Sequence, residues 1–211
     1  MGRPSRYDEA EILAGAKDVS AELGPQNLTI AAVAGRAGVP VGSIYHRYTS
    51  RDEILAAVWL DLVEEFQERF LAELETAEPV RGGLAAMRYV CAWVRRHPRE
   101  ARLLLLHRRE DFASDRWPAS YRTRAEGLAN RAAMSLGEYA LRLAGRAGPA
   151  ELRHLRFALV DLPTAALRED IAAGVPPTMA VEAMLLDTCA YALRRLRATG
   201  RRRRTGGNHG S

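Results

Sequence analysis

The stretch Leu28-Thr29-Ile30-Ala31-Ala32-Val33-Ala34-Gly35-Arg36-Ala37-Gly38-Val39-Pro40-Val41-Gly42-Ser43-Ile44-Tyr45-His46-Arg47-Tyr48 decides the fold. Thr29 suits a helix N-cap, because its hydroxyl can accept an orphan backbone N–H. The residues from there to Gly38 predict one short helix, and Val41 to Tyr48 predict another. Ala34 and Gly38 lie four residues apart. A helix that crosses a neighbour needs a small residue at the crossing, and glycine tolerates the positive φ of the tight turn beyond it. Val33, Val39 and Ile44 can then fill the small core between the two helices.

Helical spacing extends outward in both directions. Ile12, Ala16, Val19 and Leu23 form one stripe, which Gly24-Pro25 ends. A long helix begins after Ser50, with Ile54, Val58, Leu62, Phe66 and Phe70 along one side. It ends near Pro79, and Gly82-Gly83 reads as a turn. Leu84, Met87, Cys91 and Val94 mark a further helix that stops before Pro98, and Leu103 to Leu106 form a short apolar piece. A linker from Asp111 to Trp117 leads to a helix starting at Pro118. That helix runs to about Leu143, and Gly145 to Gly148 interrupt the pattern. Another helix covers Pro149 to about Ala173, kinked or broken at Pro163. The last starts at Thr178 and carries Val181, Leu185, Ala192 and Leu196. Period-2 alternation is absent, so the expected fold is all-α.

Composition narrows the class. Of 211 residues, 47% are hydrophobic, which suits a globular chain and excludes a disordered one. No apolar run is long enough to span a bilayer. Met1 to Tyr7 lacks the apolar core of a secretory signal, which predicts a cytoplasmic protein. Cys91 and Cys189 lie far apart inside helical patterns and read as reduced packing residues. The net charge is +5, but residues 1–50 balance five basic against five acidic side chains. The excess sits between residues 81 and 125, where eleven arginines face four acids, and in Arg201 to Arg204. A solvated basic face explains the first cluster more simply than an anionic ligand does. Lys17 is the one lysine, and the preference for Arg, Ala and Gly suits a GC-rich bacterial genome.

Spacing alone leaves open whether the second short helix enters a DNA major groove or the pair is an ordinary helical corner. The run from Leu28 to Tyr48, followed by Arg51 and Leu55, resembles the tetracycline-repressor (TetR) family of helix-turn-helix transcriptional regulators, over about Tyr7 to Trp59. The resemblance implies a three-helix DNA-binding domain with an N-terminal arm in residues 1–50. It also implies a connecting helix in 51–80 and a helical ligand-binding and dimerisation domain in 81–200. Residues 201–211 are expected as a disordered basic tail. By position, Thr29 resembles a phosphate contact at the start of its helix. Val41, Gly42 and Ser43 occupy the base-facing front of the recognition helix, and Tyr45 and His46 resemble backbone-contacting aromatics. Arg51 stands where the family usually has a phosphate-binding lysine. Pro40 replaces the commoner serine cap, Arg47 replaces a frequent histidine and adds a phosphate contact, and Tyr48 replaces phenylalanine. Arg3 and Arg6 form an arm for a minor groove or a phosphate, or a frayed basic terminus.

The implied partners are a palindromic double-stranded operator, a second copy of the chain through the two C-terminal helices, and an apolar or amphipathic effector. Tyr89, Trp93, His107, Phe112, Trp117, Tyr121, Met134 and Phe157 are the candidates to line an effector cavity, or to pack the core. No catalytic set, cofactor fingerprint or metal-ligand spacing occurs in the sequence. The leading reading is a ligand-released repressor. A regulator without a small ligand, and a helical enzyme with a coincidental helix-turn-helix, are the alternatives.

Overall fold

The computed structural model describes residues 8–107, 109–112 and 117–206, with the backbone alone at 109 and 201–206. The described residues are helical, with no strand among them. They divide into two compact units, residues up to 65 with 99–127, and 66–98 with 128 onward.

In the first unit, α1 (Glu9–Leu23) opens on a capping box, in which Asp8 caps the first turn and the Glu11 carboxylate accepts from the Asp8 N–H at 3.2 Å. Ile12, Ala16 and Val19 are buried along the expected stripe, and the helix stops at Gly24, whose φ is 84°. A 3₁₀ turn (Pro25–Asn27) leads to α2 (Ile30–Ala37), capped by Thr29 Oγ1, which accepts from Ala32 N–H at 3.1 Å. Gly38 takes the left-handed conformation at φ 67°, ψ 28°, as its place after the helix requires. α3 (Val41–Tyr45) comes next, shorter than the reading to Tyr48, and α4 (Arg51–Leu74) begins after Ser50, whose Oγ accepts from Glu53 N–H at 3.1 Å. Val33, Ala34, Val39, Ile44, Tyr48 and Ile54 close the core. α1 and α2 approach so closely that a Cβ on Gly15 would lie 3.0 Å from that of Ala37. The unit is completed by α5 (Pro79–Arg96)'s successors in the chain, α6 (Pro98–Leu106), α7 (Arg109–Phe112) and the start of α8 (Ala119–Ala144). Trp117 is buried there, donating its Nε1–H to Phe112 O at 2.9 Å, with its ring 5.9 Å from Trp59.

The second unit holds the end of α4, α5, the rest of α8, and three C-terminal elements. Gly82 and Gly83 lie inside α5, not at a turn. A Cβ on Gly82 would stand 2.9 Å from Glu73 O, and one on Gly83 would stand 2.4 Å from Leu193 Cδ1 and 2.5 Å from Tyr139 Oη. The glycines therefore permit close packing instead of reversing the chain. Arg142 of α8 covers the C-terminus of α4, donating to the carbonyls of Leu74, Glu75 and Thr76 at 2.5, 3.1 and 3.2 Å. α9 (Pro149–Arg156) passes without a break through a π-helical turn (Phe157–Asp161) into α10 (Leu162–Ala173). Pro163 has no N–H and its ring crowds the preceding turn, and the wider turn accommodates both. α11 (Met179–Gly206) starts at Thr178, whose Oγ1 accepts from Val181 N–H at 3.3 Å. It continues past residue 201, where the sequence predicts a disordered tail; arginine favours helix, and no breaker intervenes before Gly206.

Cys91 and Cys189 are free and buried. No helix among the described residues is long and apolar enough to cross a membrane, and no cluster of three metal-ligating side chains occurs there.

Candidate nucleic-acid interface

α3 is anchored by one side chain. Ile44 is fully buried, and this turns Val41, Gly42, Tyr45 and His46 outward together. These positions are i, i+1, i+4 and i+5, one side of a helix. Tyr45 is 54% exposed, Val41 is exposed, and Ser43 and Arg47 are half-buried at the flanks. A Cβ on Gly42 would meet nothing within 4 Å, so the protein itself does not require a glycine there. Pro40 gives α3 no side-chain cap. Thr29 is exposed at the start of α2, with its hydroxyl engaged as the cap. Arg3 and Arg6 lie outside the described residues.

The surrounding charges are arranged to hold the two helices. Arg36 of α2 pairs with both Glu22 and Asp18 of α1, and Asp18 also accepts from Arg99 of α6 at 2.7 Å. The Arg36 hydrogen bond holds the Glu22 carboxyl below the usual carboxylate range, and Glu22 in turn raises Arg36. Sequence reading missed this network because its members are scattered from 18 to 99 and resemble ordinary surface charges. Tyr48 donates its hydroxyl to Glu9 at 3.3 Å, and burial pushes its ionisation well above the ordinary tyrosine value.

Arg51, the expected phosphate contact, bonds to the backbone of the preceding turn in this structure. Its Nε donates to Leu28 O at 2.7 Å, and its Nη2 donates to Pro25 O at 2.8 Å and Gln26 O at 2.6 Å. Its Nη1 lies 3.6 Å from Asp52 Oδ1. The guanidinium is directed into the protein, at the carbonyls that end the 3₁₀ turn.

The eight candidate effector residues separate into two groups. In the second unit, Trp93 is buried, Tyr89 is half-buried, and Phe66 touches both rings at centroid distances of 4.9 and 5.5 Å. Trp93 Nε1 and Gln67 Oε1 are buried without a hydrogen-bond partner among the described residues. Met134 and Phe157, in the same unit, are 67% and 54% exposed, so neither lines an enclosed space there. Their sides of the helices face away from the unit's core, which periodicity alone does not distinguish from a second apolar side. In the first unit, Phe112 and Trp117 are buried against each other, and His107 packs edge-on to Phe112 at 6.3 Å. Tyr121 borders an open cleft of about 360 Å³ with Glu9, Tyr48, Asp61 and Arg124. An open groove of about 670 Å³ between α5 and α11, with Arg88, Arg194, Arg195 and Tyr191 on its walls, has no counterpart in the sequence reading.

Residues 12–58 match the family described as "Bacterial regulatory proteins, tetR family". No curated protein sequence matches the chain. Among solved structures, a transcriptional regulator from Rhodococcus sp. Rha1 superposes with a TM-score of 0.61 at 24% identity, over 88% of this chain and 95% of that one. SmeT, the repressor of the Stenotrophomonas maltophilia multidrug efflux pump SmeDEF, gives 0.63 at 18% identity over 90% and 92%. FadR from Bacillus subtilis, solved with stearoyl-CoA, gives 0.62 at 15% identity over 90% and 97%. At these identities the likeness carries the fold: an N-terminal helix-turn-helix followed by a C-terminal helical domain.

Proposed function

We propose that this chain, whose N-terminal domain is of the TetR family, is a dimeric repressor that leaves a palindromic operator when a small molecule binds its C-terminal domain. The observation that carries the reading is the presentation of α3. A helix held by Ile44 alone, with Val41, Gly42, Tyr45 and His46 outward, has the form of an element placed in a major groove. In this reading Val41, Gly42 and Ser43 face base edges, where few hydrogen bonds are on offer. Specificity then leans on Ser43, on thymine methyls and on DNA shape. Thr29, Tyr45, His46 and Arg47 hold the phosphate backbone, with Arg3 and Arg6 reaching along it.

Dimerisation rests on α9 to α11. Leu152, Phe157, Val160, Met184 and Tyr191 are all exposed on these helices, and Tyr191 is 65% exposed. Side chains of that size in water mark an association surface. Two copies related by a two-fold axis would set two α3 helices about one DNA turn apart, or a multiple of it.

For the effector, Trp93 and Gln67 carry the argument. A buried indole N–H and a buried amide oxygen without partners are costly unless a bound molecule supplies an acceptor and a donor. Phe66 and Tyr89 add apolar walls. An apolar or amphipathic molecule fits this lining, and the stearoyl-CoA in the FadR structure is an amphipathic compound. Such a molecule releases DNA only by favouring the state that binds DNA poorly, and linkage then makes operator weaken its affinity by the same factor. Selection of bound duplexes from a random pool tests the reading. Inverted repeats are expected, and absence of any sequence preference at moderate salt overturns it.

A further inference from the structure

The geometry points to Arg51 as a positioning residue that braces the start of the DNA-binding helices, not as a contact to the DNA backbone. The inference rests on the DNA-binding reading for its consequence, but its geometry stands without it. A guanidinium has five N–H groups. In Arg51 the Nε–H and Nη2 donate to Leu28 O, Pro25 O and Gln26 O, at 2.6 to 2.8 Å, and Nη1 lies beside Asp52, itself buried. Three of the five N–H groups are thus taken by backbone carbonyls, and a phosphate would find only the Nη1 pair, beside the Asp52 carboxylate that repels it.

Those carbonyls occupy a critical place. Pro25–Asn27 is a single 3₁₀ turn, held by Asn27 N–H to Gly24 O at 3.1 Å and Leu28 N–H to Pro25 O at 3.2 Å. The turn's last carbonyls point out of its C-terminal end, where a cation is favoured. Arg51 sits at the first residue of α4 and reaches back to them, across 23 to 26 positions of sequence. Thr29, the cap of α2, comes directly after. The brace therefore sets where α2 begins, and through α2 and the Gly38 turn it sets the pose of α3. Lysine cannot do this, because an ammonium is a point charge without the planar fork that spans three carbonyls. Lysine could hold a phosphate equally well.

The full-length protein with Arg51→Lys and with Arg51→Ala separates the two roles. Without DNA, both variants should speed amide exchange at Asn27 and Leu28 by about tenfold or more, leaving Val58 in α4 at the wild-type rate. With operator, both should lose affinity while the slope of affinity against salt stays as in the wild type. A phosphate contact would instead lower that slope by about one in Arg51→Ala and be rescued by Arg51→Lys. Wild-type exchange and wild-type affinity in Arg51→Lys overturn the brace. Failure of the wild type to select any operator would sink the regulator reading, and the exchange rates at Asn27 and Leu28 would still decide the role of Arg51.

Discussion

The side of α3 and the side formed by α9 to α11 both leave apolar groups in water, but they are built differently. α3 is one short helix on a single anchor, Ile44, and what it shows outward is small or flat: Val41, Gly42, Tyr45, His46. The C-terminal face shows Phe157, Val160, Met184 and Tyr191 from long helices with a continuous core beneath them. A narrow element with a glycine at its tip suits a rigid, narrow slot. A broad surface of large apolar side chains suits a matching surface that can interdigitate with it. The glycines repeat the contrast. Gly42 has open space around it, whereas a Cβ on Gly200 of α11 would stand 2.2 Å from Ala144 O.

The largest expected effect breaks the broad face. Phe157→Glu combined with Tyr191→Glu should weaken self-association roughly a thousand-fold, since each charge would be buried in the proposed interface. Analytical ultracentrifugation should show a monomer that no longer holds operator. A wild-type protein already monomeric at micromolar concentration would remove the contrast altogether. Next comes Gly200→Ala, which should cost about 1–3 kcal/mol because backbone must shift to admit the methyl. Chemical denaturation reads it, and an unchanged midpoint would mean the helices are not so closely packed.

Smaller effects sharpen the other side. Gly42→Ala should raise the stability of the folded chain by about 0.5–1 kcal/mol, since the space is free and alanine favours helix. The same change should weaken operator binding if the α3 backbone lies against DNA. Stabilisation with full operator affinity would place Gly42 away from the groove. Smallest is the chemistry of the two thiols. Burial pushes Cys91 up to about 11 and Cys189 up to about 12, from an ordinary value of 9.0. Both should resist alkylation at pH 8 in the folded protein and react once it is unfolded, as mass spectrometry would report. The neutral thiol is the folded form, so this contribution is complete below pH 9 and declines as pH rises toward 11 and 12.

The helices were legible because each carries a 3.6-residue apolar stripe, and the α2–α3 corner because Gly38 and Ile44 are local demands of its geometry. Long-range contacts were not legible in the same way. Gly82-Gly83 has the same letters whether it turns the chain or admits Leu193 and Tyr139, and only those distant residues decide. Arg51 likewise offers a guanidinium to whatever lies near, and the carbonyls of Pro25, Gln26 and Leu28 are near only after folding. The burial of the candidate effector residues was the least legible. Met134 and Phe157 sit on helices with two apolar sides, and periodicity marks both sides alike.

Among thirty-one basic side chains, Lys17 is the single lysine. It lies on α1, 2.5 Å from Asp61 of α4, with its side chain 20% exposed. An amine-directed dye has one side-chain target in the chain, and that target lies in the region that matches the TetR family model. At controlled pH the terminal amine can be modified apart from it. A fluorophore there would travel with α1, which packs against α2. The chain thus brings its own attachment point for following that region in solution, without the introduction of a new residue.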